Sequence, residues 1–136
     1  MRVFLDANLI FSAAQTASPS RQFIETLARH ATLITHPAVW LEAERNLHAK
    51  RPGWLDGLAS LKPLLYFHTG VAACPDAGLP AKDQPVLAAA IASRADRLVT
   101  GDRTHFGPLF GQSIQGVKIL STQMMADEMQ ANSWIA

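Results

Sequence analysis

The sequence predicts an α/β fold: a three-layer α/β/α sandwich around a mainly parallel sheet of about five strands. Three observations predict it. Short apolar runs alternate along the chain with segments of helical period. The first run, Val3-Phe4-Leu5, is continuously apolar, as a strand covered on both faces requires. Two runs stop at an acid, Asp6 and Asp102. In a parallel sheet these strand ends share one edge, and that edge is where ligands collect.

Taken in order, the first strand ends at Asp6, and Ala7 to about Gln15 is helical. Ala17-Ser18-Pro19-Ser20 is a turn, with Ser18 or Ser20 available as an N-cap. Arg21 to His30 places Phe23, Ile24, Leu27 and Ala28 on one helical face. Ala31 to Thr35, with Thr32-Leu33-Ile34 at its centre, is the second strand. Pro37 opens a helix that runs to about Lys50, since proline is favoured at the first helical position. Arg51-Pro52-Gly53 breaks it, and Trp54 to Leu61 forms another short helix. Leu64 to Phe67 is the third strand. Val71 to Lys82, with Pro75, Gly78 and Pro80, is loop. Asp83 to Arg94 is the cleanest helix, and Leu98-Val99-Thr100 is the fourth strand. Arg103 to Gln115 is loop, Val117 to Leu120 is the fifth strand, and Ser121 caps a final helix through about Gln130.

At 136 residues the chain, 1–136, is expected to be one domain. An apolar content of 49% against 17% charged residues belongs to a globular chain, not a disordered one. The single cysteine, Cys74, excludes an internal disulfide and a cysteine-based zinc site. No apolar run approaches the roughly 18 residues of a membrane span. Asp6 and Asn8 interrupt the N-terminal apolar stretch that a signal peptide needs. A cytoplasmic protein is expected. The net charge of +1 is no strong footprint for nucleic acid. With four acids set aside in a metal-filled pocket, however, seven remain against 12 Lys and Arg, an excess of +5.

Each candidate acid has a structural explanation beside a functional one. Asp6 serves as the cap of the next helix or as a ligand at the sheet edge. Asp83 falls among Val86, Leu87 and Ala90, the stripe that faces the sheet. Capping by Asp83, with Gln84 and Pro85 as the first helical residues, explains the residue type but not the inward direction. Asp102 sits in a Gly-Asp turn and also ends a strand on the same edge as Asp6. On the helix from Pro37, Glu42 and Glu44 both flank the core face of Val39, Ala43 and Leu47, and the helical wheel does not choose between them. Among the histidines, His105, close after Asp102, is the one placed to join a site. No G-x-S-x-G elbow or Walker-type glycine loop is present.

Together these residues resemble a PIN-domain ribonuclease of the VapC toxin type. The resemblance covers nearly the whole chain. It rests on Val3-Phe4-Leu5-Asp6-Ala7-Asn8, the Pro37 helix with Glu42, Asp83 with Pro85-Val86-Leu87-Ala88-Ala89-Ala90, and Leu98-Val99-Thr100-Gly101-Asp102. It implies a PIN-like fold with an acidic quartet of Asp6, Glu42, Asp83 and Asp102. Glu42 is preferred to Glu44 by its place between Pro37 and Leu47. Asn8 and Thr100 match polar positions that line such sites. Many relatives carry a further acid past the last motif, where this chain has Arg103, Thr104 and His105.

The resemblance further implies cleavage of single-stranded RNA by water attack in line at phosphorus, with Mg²⁺ or Mn²⁺ as cofactor. It also implies a cognate antitoxin partner and a homodimer. The metal chemistry is coherent apart from the name. Four converging carboxylates repel one another without a cation, and Mg²⁺ or Mn²⁺ accepts carboxylate, water and phosphate oxygens. Lys50, Arg51, Lys82 and Arg103 are the candidate contacts to the RNA backbone, whose binding is salt-sensitive. Two other functions compete: a PIN-like module that holds RNA or protein without cutting, and a phosphotransferase using Asp6 as nucleophile. Asn8 stands where haloacid-dehalogenase-type phosphotransferases would want a second Asp.

Overall fold

The computed structural model describes residues 1–135; Ala136, the last position of the expected domain, lies outside them. The elements are β1 (Arg2–Leu5), α1 (Ala7–Ala13), α2 (Pro19–Ala28), β2 (Thr32–Thr35), α3 (Pro37–Lys50), α4 (Leu55–Leu61) and β3 (Leu65–Phe67). They continue with α5 (Gln84–Ala92), β4 (Arg97–Val99), β5 (Ser113–Ile114), β6 (Val117–Leu120) and α6 (Thr122–Ala131). The strands form one sheet in the order β3-β2-β1-β4-β6-β5. All neighbours pair in parallel except β5 and β6. The three-layer α/β/α architecture expected from the sequence is the observed one.

β1 lies at the centre because it can. Val3, Phe4 and Leu5 are fully buried, with β2 on one side and β4 on the other. From β1 the chain builds outward through β2 to β3, and then resumes on the opposite side with β4. The strand order therefore reverses beside β1, and the crevice at such a reversal is the preferred ligand position in open parallel sheets. Asp6 follows β1, and Asp102 lies shortly past β4. The topology puts both at that crevice.

Local sequence sets the helix starts. The Ser18 hydroxyl accepts the Arg21 N–H at 3.1 Å, and Pro19 occupies the first turn, so α2 begins earlier than the apolar period alone indicates. Ser121 caps α6 in the same way through the Met124 N–H. Beneath these helices, buried Arg21 donates to the carbonyls of Ala13 and Gly57 and to Ser60 Oγ, tying α1, α2 and α4 together. Gly57 packs so closely that a Cβ there would strike the Ala14 carbonyl.

One element departs from expectation. Residues 103–115, read as loop, contain β5, which adds an antiparallel edge strand and makes six strands. Gln115 and Gly116 both have positive φ, +48° and +86°, as a two-residue hairpin turn between β5 and β6 requires. At the C-terminus, Trp134 stacks on His30 with ring centroids 5.1 Å apart. No helix among the described residues is long and apolar enough to cross a membrane.

Candidate active site

Asp6 is built into the sheet edge. Its N–H donates to the Val99 carbonyl at 3.1 Å, joining β1 to β4 as the strands end. Its side chain is buried and both oxygens are occupied. Oδ1 accepts the Ala7 N–H at 2.7 Å, and Oδ2 accepts the Thr100 hydroxyl at 2.8 Å. Asp6 thus caps α1 and faces the crevice at once, so the two readings of the sequence are not exclusive.

Thr100 is the hub of this half. Fully buried, it donates to Asp6 and accepts from the Asp102 N–H at 3.1 Å and from Asn8 Nδ2 at 3.3 Å. Asn8 Oδ1 in turn accepts the Gly101 N–H at 3.0 Å. The Asp6 carboxyl is pushed up from 3.8 to about 6. Burial is the main cause, opposed by the donors Thr100 and Ala7 and reinforced by the charges of Glu42 and Asp83.

The other half is built from loop and helix start. Asp83 occupies the N-cap position of α5, yet its side chain makes no capping bond. The capping explanation therefore fails, and the carboxylate reaches across to His105, Oδ2 lying 2.8 Å from Nδ1. Asp102 divides its oxygens. Oδ1 accepts the N–H groups of Thr104 and His105, both at 3.0 Å, which folds the turn after β4. Oδ2 is left facing His105 Nδ1 at 3.2 Å. Fully buried Phe106 anchors that turn from the next position.

Asp6, Glu42, Asp83 and Asp102 line a single cleft of about 370 Å³, together with Asn8, Lys50 and Lys82. Of the two acids that flank the core face of α3, Glu42 lines this cleft and Glu44 does not. Arg51 and Arg103 do not line it either; Arg51 lies over the Trp54 ring, 5.6 Å from its centroid. Phe11, Ser12 and Asn46 also line the cleft and were missed by sequence reasoning. Their signal was available. Asn8 and Ser12 are four apart on α1, and Glu42, Asn46 and Lys50 recur at intervals of four along one face of α3. A mostly apolar cleft of about 340 Å³ adjoins and shares Glu42, Lys82 and Val86.

The donor set fits a divalent cation. Ligand atoms of Asp83, Asp102 and His105 lie within 4.8 Å of one another, while Asp6 and Glu42 share the cleft outside that tightest group. Asp83 Oδ2 and His105 Nδ1 are shielded from solvent without a hydrogen bond of acceptable direction, despite their short separation. A positive charge beside a shielded carboxylate oxygen such as Asp83 Oδ2 is favourable.

No family model matches the chain, and no curated protein matches it. Among solved structures, it is similar to one described as the crystal structure of VapBC2 from Rickettsia felis bound to a DNA fragment from their promoter. The superposition has a TM-score of 0.66 at 18% identity and covers 89% of this chain and 98% of that one. At this identity the likeness establishes the fold alone, a PIN-like α/β arrangement around a mostly parallel sheet.

Proposed function

We propose that this chain is a divalent-metal-dependent endoribonuclease that cleaves single-stranded RNA, acting as the toxin of a toxin–antitoxin pair in the cytoplasm. The observation that carries the reading is the convergence of Asp6, Glu42, Asp83 and Asp102 on one cleft at the reversal point of the sheet. In this reading the four acids hold Mg²⁺ or Mn²⁺. Such an ion would supply activated water and charge stabilisation at phosphorus.

The chain's own residues do the rest. Thr100 and Asn8 fix the Asp6 carboxylate and the Gly101–Asp102 turn, so the acids keep their positions as RNA binds. Lys50 and Lys82 stand on the cleft wall to meet phosphates; Arg51 and Arg103 contact the backbone farther along. The adjoining apolar cleft favours a single strand, because an unstacked base offers a flat apolar face to such a surface. The VapBC2 likeness supports a cognate antitoxin as partner, and the chain acts as a homodimer of single-domain subunits.

Purified protein incubated with single-stranded RNA tests the reading. Cleavage to 3′-hydroxyl and 5′-phosphate ends is expected with Mg²⁺ or Mn²⁺ and is lost on chelation. Cleavage that persists in chelator, leaving cyclic phosphate ends, would contradict it.

A further inference from the structure

The sequence resemblance implies an all-carboxylate metal site, but the tightest donor cluster contains an imidazole. We propose that His105 supplies Nδ1 as a nitrogen ligand to the divalent ion held with Asp83 and Asp102, so that the site favours Mn²⁺ over Mg²⁺. The inference rests on the reading that the cleft holds a divalent ion.

Hydrogen bonding alone does not account for the cluster. One nitrogen faces two carboxylates, at 2.8 and 3.2 Å. An Nδ1–H has one direction and serves one acceptor, whereas here neither contact has hydrogen-bond geometry. Among the described residues, no Lys or Arg pairs with Asp83 or Asp102 in its place; the ion pairs on the arginines and on Lys118 go to Glu25 and Glu128.

The same separations suit ligands that share an ion. Around an octahedral ion with bonds of about 2.1 Å, neighbouring ligand atoms lie about 2.9 to 3.0 Å apart. The two observed separations bracket that edge. His105 is also held in place: its backbone N–H donates to Asp102 Oδ1 at 3.0 Å, and Phe106 beside it is fully buried. As a ligand it turns the Nδ1 lone pair to the ion and keeps its proton on Nε2. Mn²⁺ takes oxygen ligands as Mg²⁺ does, but as a first-row transition ion it also accepts imidazole nitrogen, which the hard Mg²⁺ ion accepts poorly. A nitrogen ligand therefore raises affinity for Mn²⁺ relative to Mg²⁺.

Pulsed EPR on the full chain loaded with Mn²⁺ reads nitrogen ligation directly. The wild type is expected to show the modulation of a coordinated imidazole ¹⁴N, replaced by the ¹⁵N pattern on labelling with ¹⁵N-histidine. His105→Asn keeps a polar atom near the Nδ1 position, so Mn²⁺ stays bound while the nitrogen coupling disappears. The Mn²⁺ preference in competition with Mg²⁺ falls with it. His105→Asp, which restores an acid past the last motif, is the second variant should the first fail to fold, and loses the coupling likewise. Bound Mn²⁺ in the wild type without nitrogen coupling, or coupling that survives in the folded variant, overturns His105 as ligand and leaves the divalent site standing. Failure of the wild type to bind Mn²⁺ overturns the site and the ligand together.

Discussion

The two halves of the cleft are constructed differently. Around Asp6, each oxygen receives a donor, and Thr100, Asn8 and Gly101 close a network anchored on the ends of β1 and β4. Around Asp83 and Asp102, two carboxylate oxygens meet one imidazole nitrogen with no well-directed hydrogen bond. The first half is finished by the fold. In the second, Asp102 is held through Oδ1 alone, and Asp83 Oδ2 and His105 Nδ1 meet without a hydrogen bond. A closed hydrogen-bond network and unpartnered polar atoms are thus divided between a sheet edge and a loop–helix junction.

Asparagine substitutions should expose this division most strongly. On the proposed function, Asp6→Asn, Asp83→Asn and Asp102→Asn should each reduce RNA cleavage by about a thousandfold, because each removes a charge from the proposed metal site at nearly constant size. Their melting temperatures should differ. Asn offers one acceptor where Asp6 uses two against donors, so Asp6→Asn should lose about 1–3 kcal/mol. In Asp102→Asn the retained amide oxygen still accepts from Thr104 and His105, so stability should barely change. Equal destabilisation of all three would erase the distinction between the halves.

The Asp6 half should also carry its own pH signature without metal. Its carboxyl is raised from 3.8 to about 6, so the folded chain holds this proton more tightly than the unfolded chain. The resulting stabilisation is full below pH 3.8 and lost as pH rises through about 6. In full it is worth about 3 kcal/mol, roughly half of it gained between pH 7 and pH 5. Denaturant unfolding in chelator should show wild type gaining on Asp6→Asn by that amount as pH falls from 7 to 5. A gap independent of pH would mean that Asp6 is ionised throughout.

The same division explains what the sequence revealed. Asp6 and Asp102 were legible because strand ends are fixed by apolar runs, and a parallel sheet aligns those ends. The inward direction of Asp83 was legible from the stripe of Val86, Leu87 and Ala90, which also argued against simple capping. Glu42 against Glu44 was not decided by the core face, and i,i+4 polar spacing offers Glu44 with His48 as readily as Glu42 with Asn46; how α3 packs beside the cleft puts Glu42 on its wall. His105 could be flagged only by its nearness to Asp102, since its meeting with Asp83 depends on how the turn after β4 brings it to the residue preceding α5. The edge strand β5 was hidden for another reason: two residues give no alternation to read, and only the Gln115-Gly116 turn marks the hairpin.

Cleavage assays depend on offering the right RNA, whereas ion binding does not, so the central claim is tested most directly by metal-dependent stability. Thermal or denaturant unfolding of wild type should show Mn²⁺ adding about 2.7 kcal/mol at a hundredfold excess over its dissociation constant. Glu44→Gln, outside the cleft, should keep that gain. Asp83→Asn should lose most of it. Equal metal-induced gains in wild type and Asp83→Asn, or no gain in wild type, would contradict a divalent-ion site in this cleft.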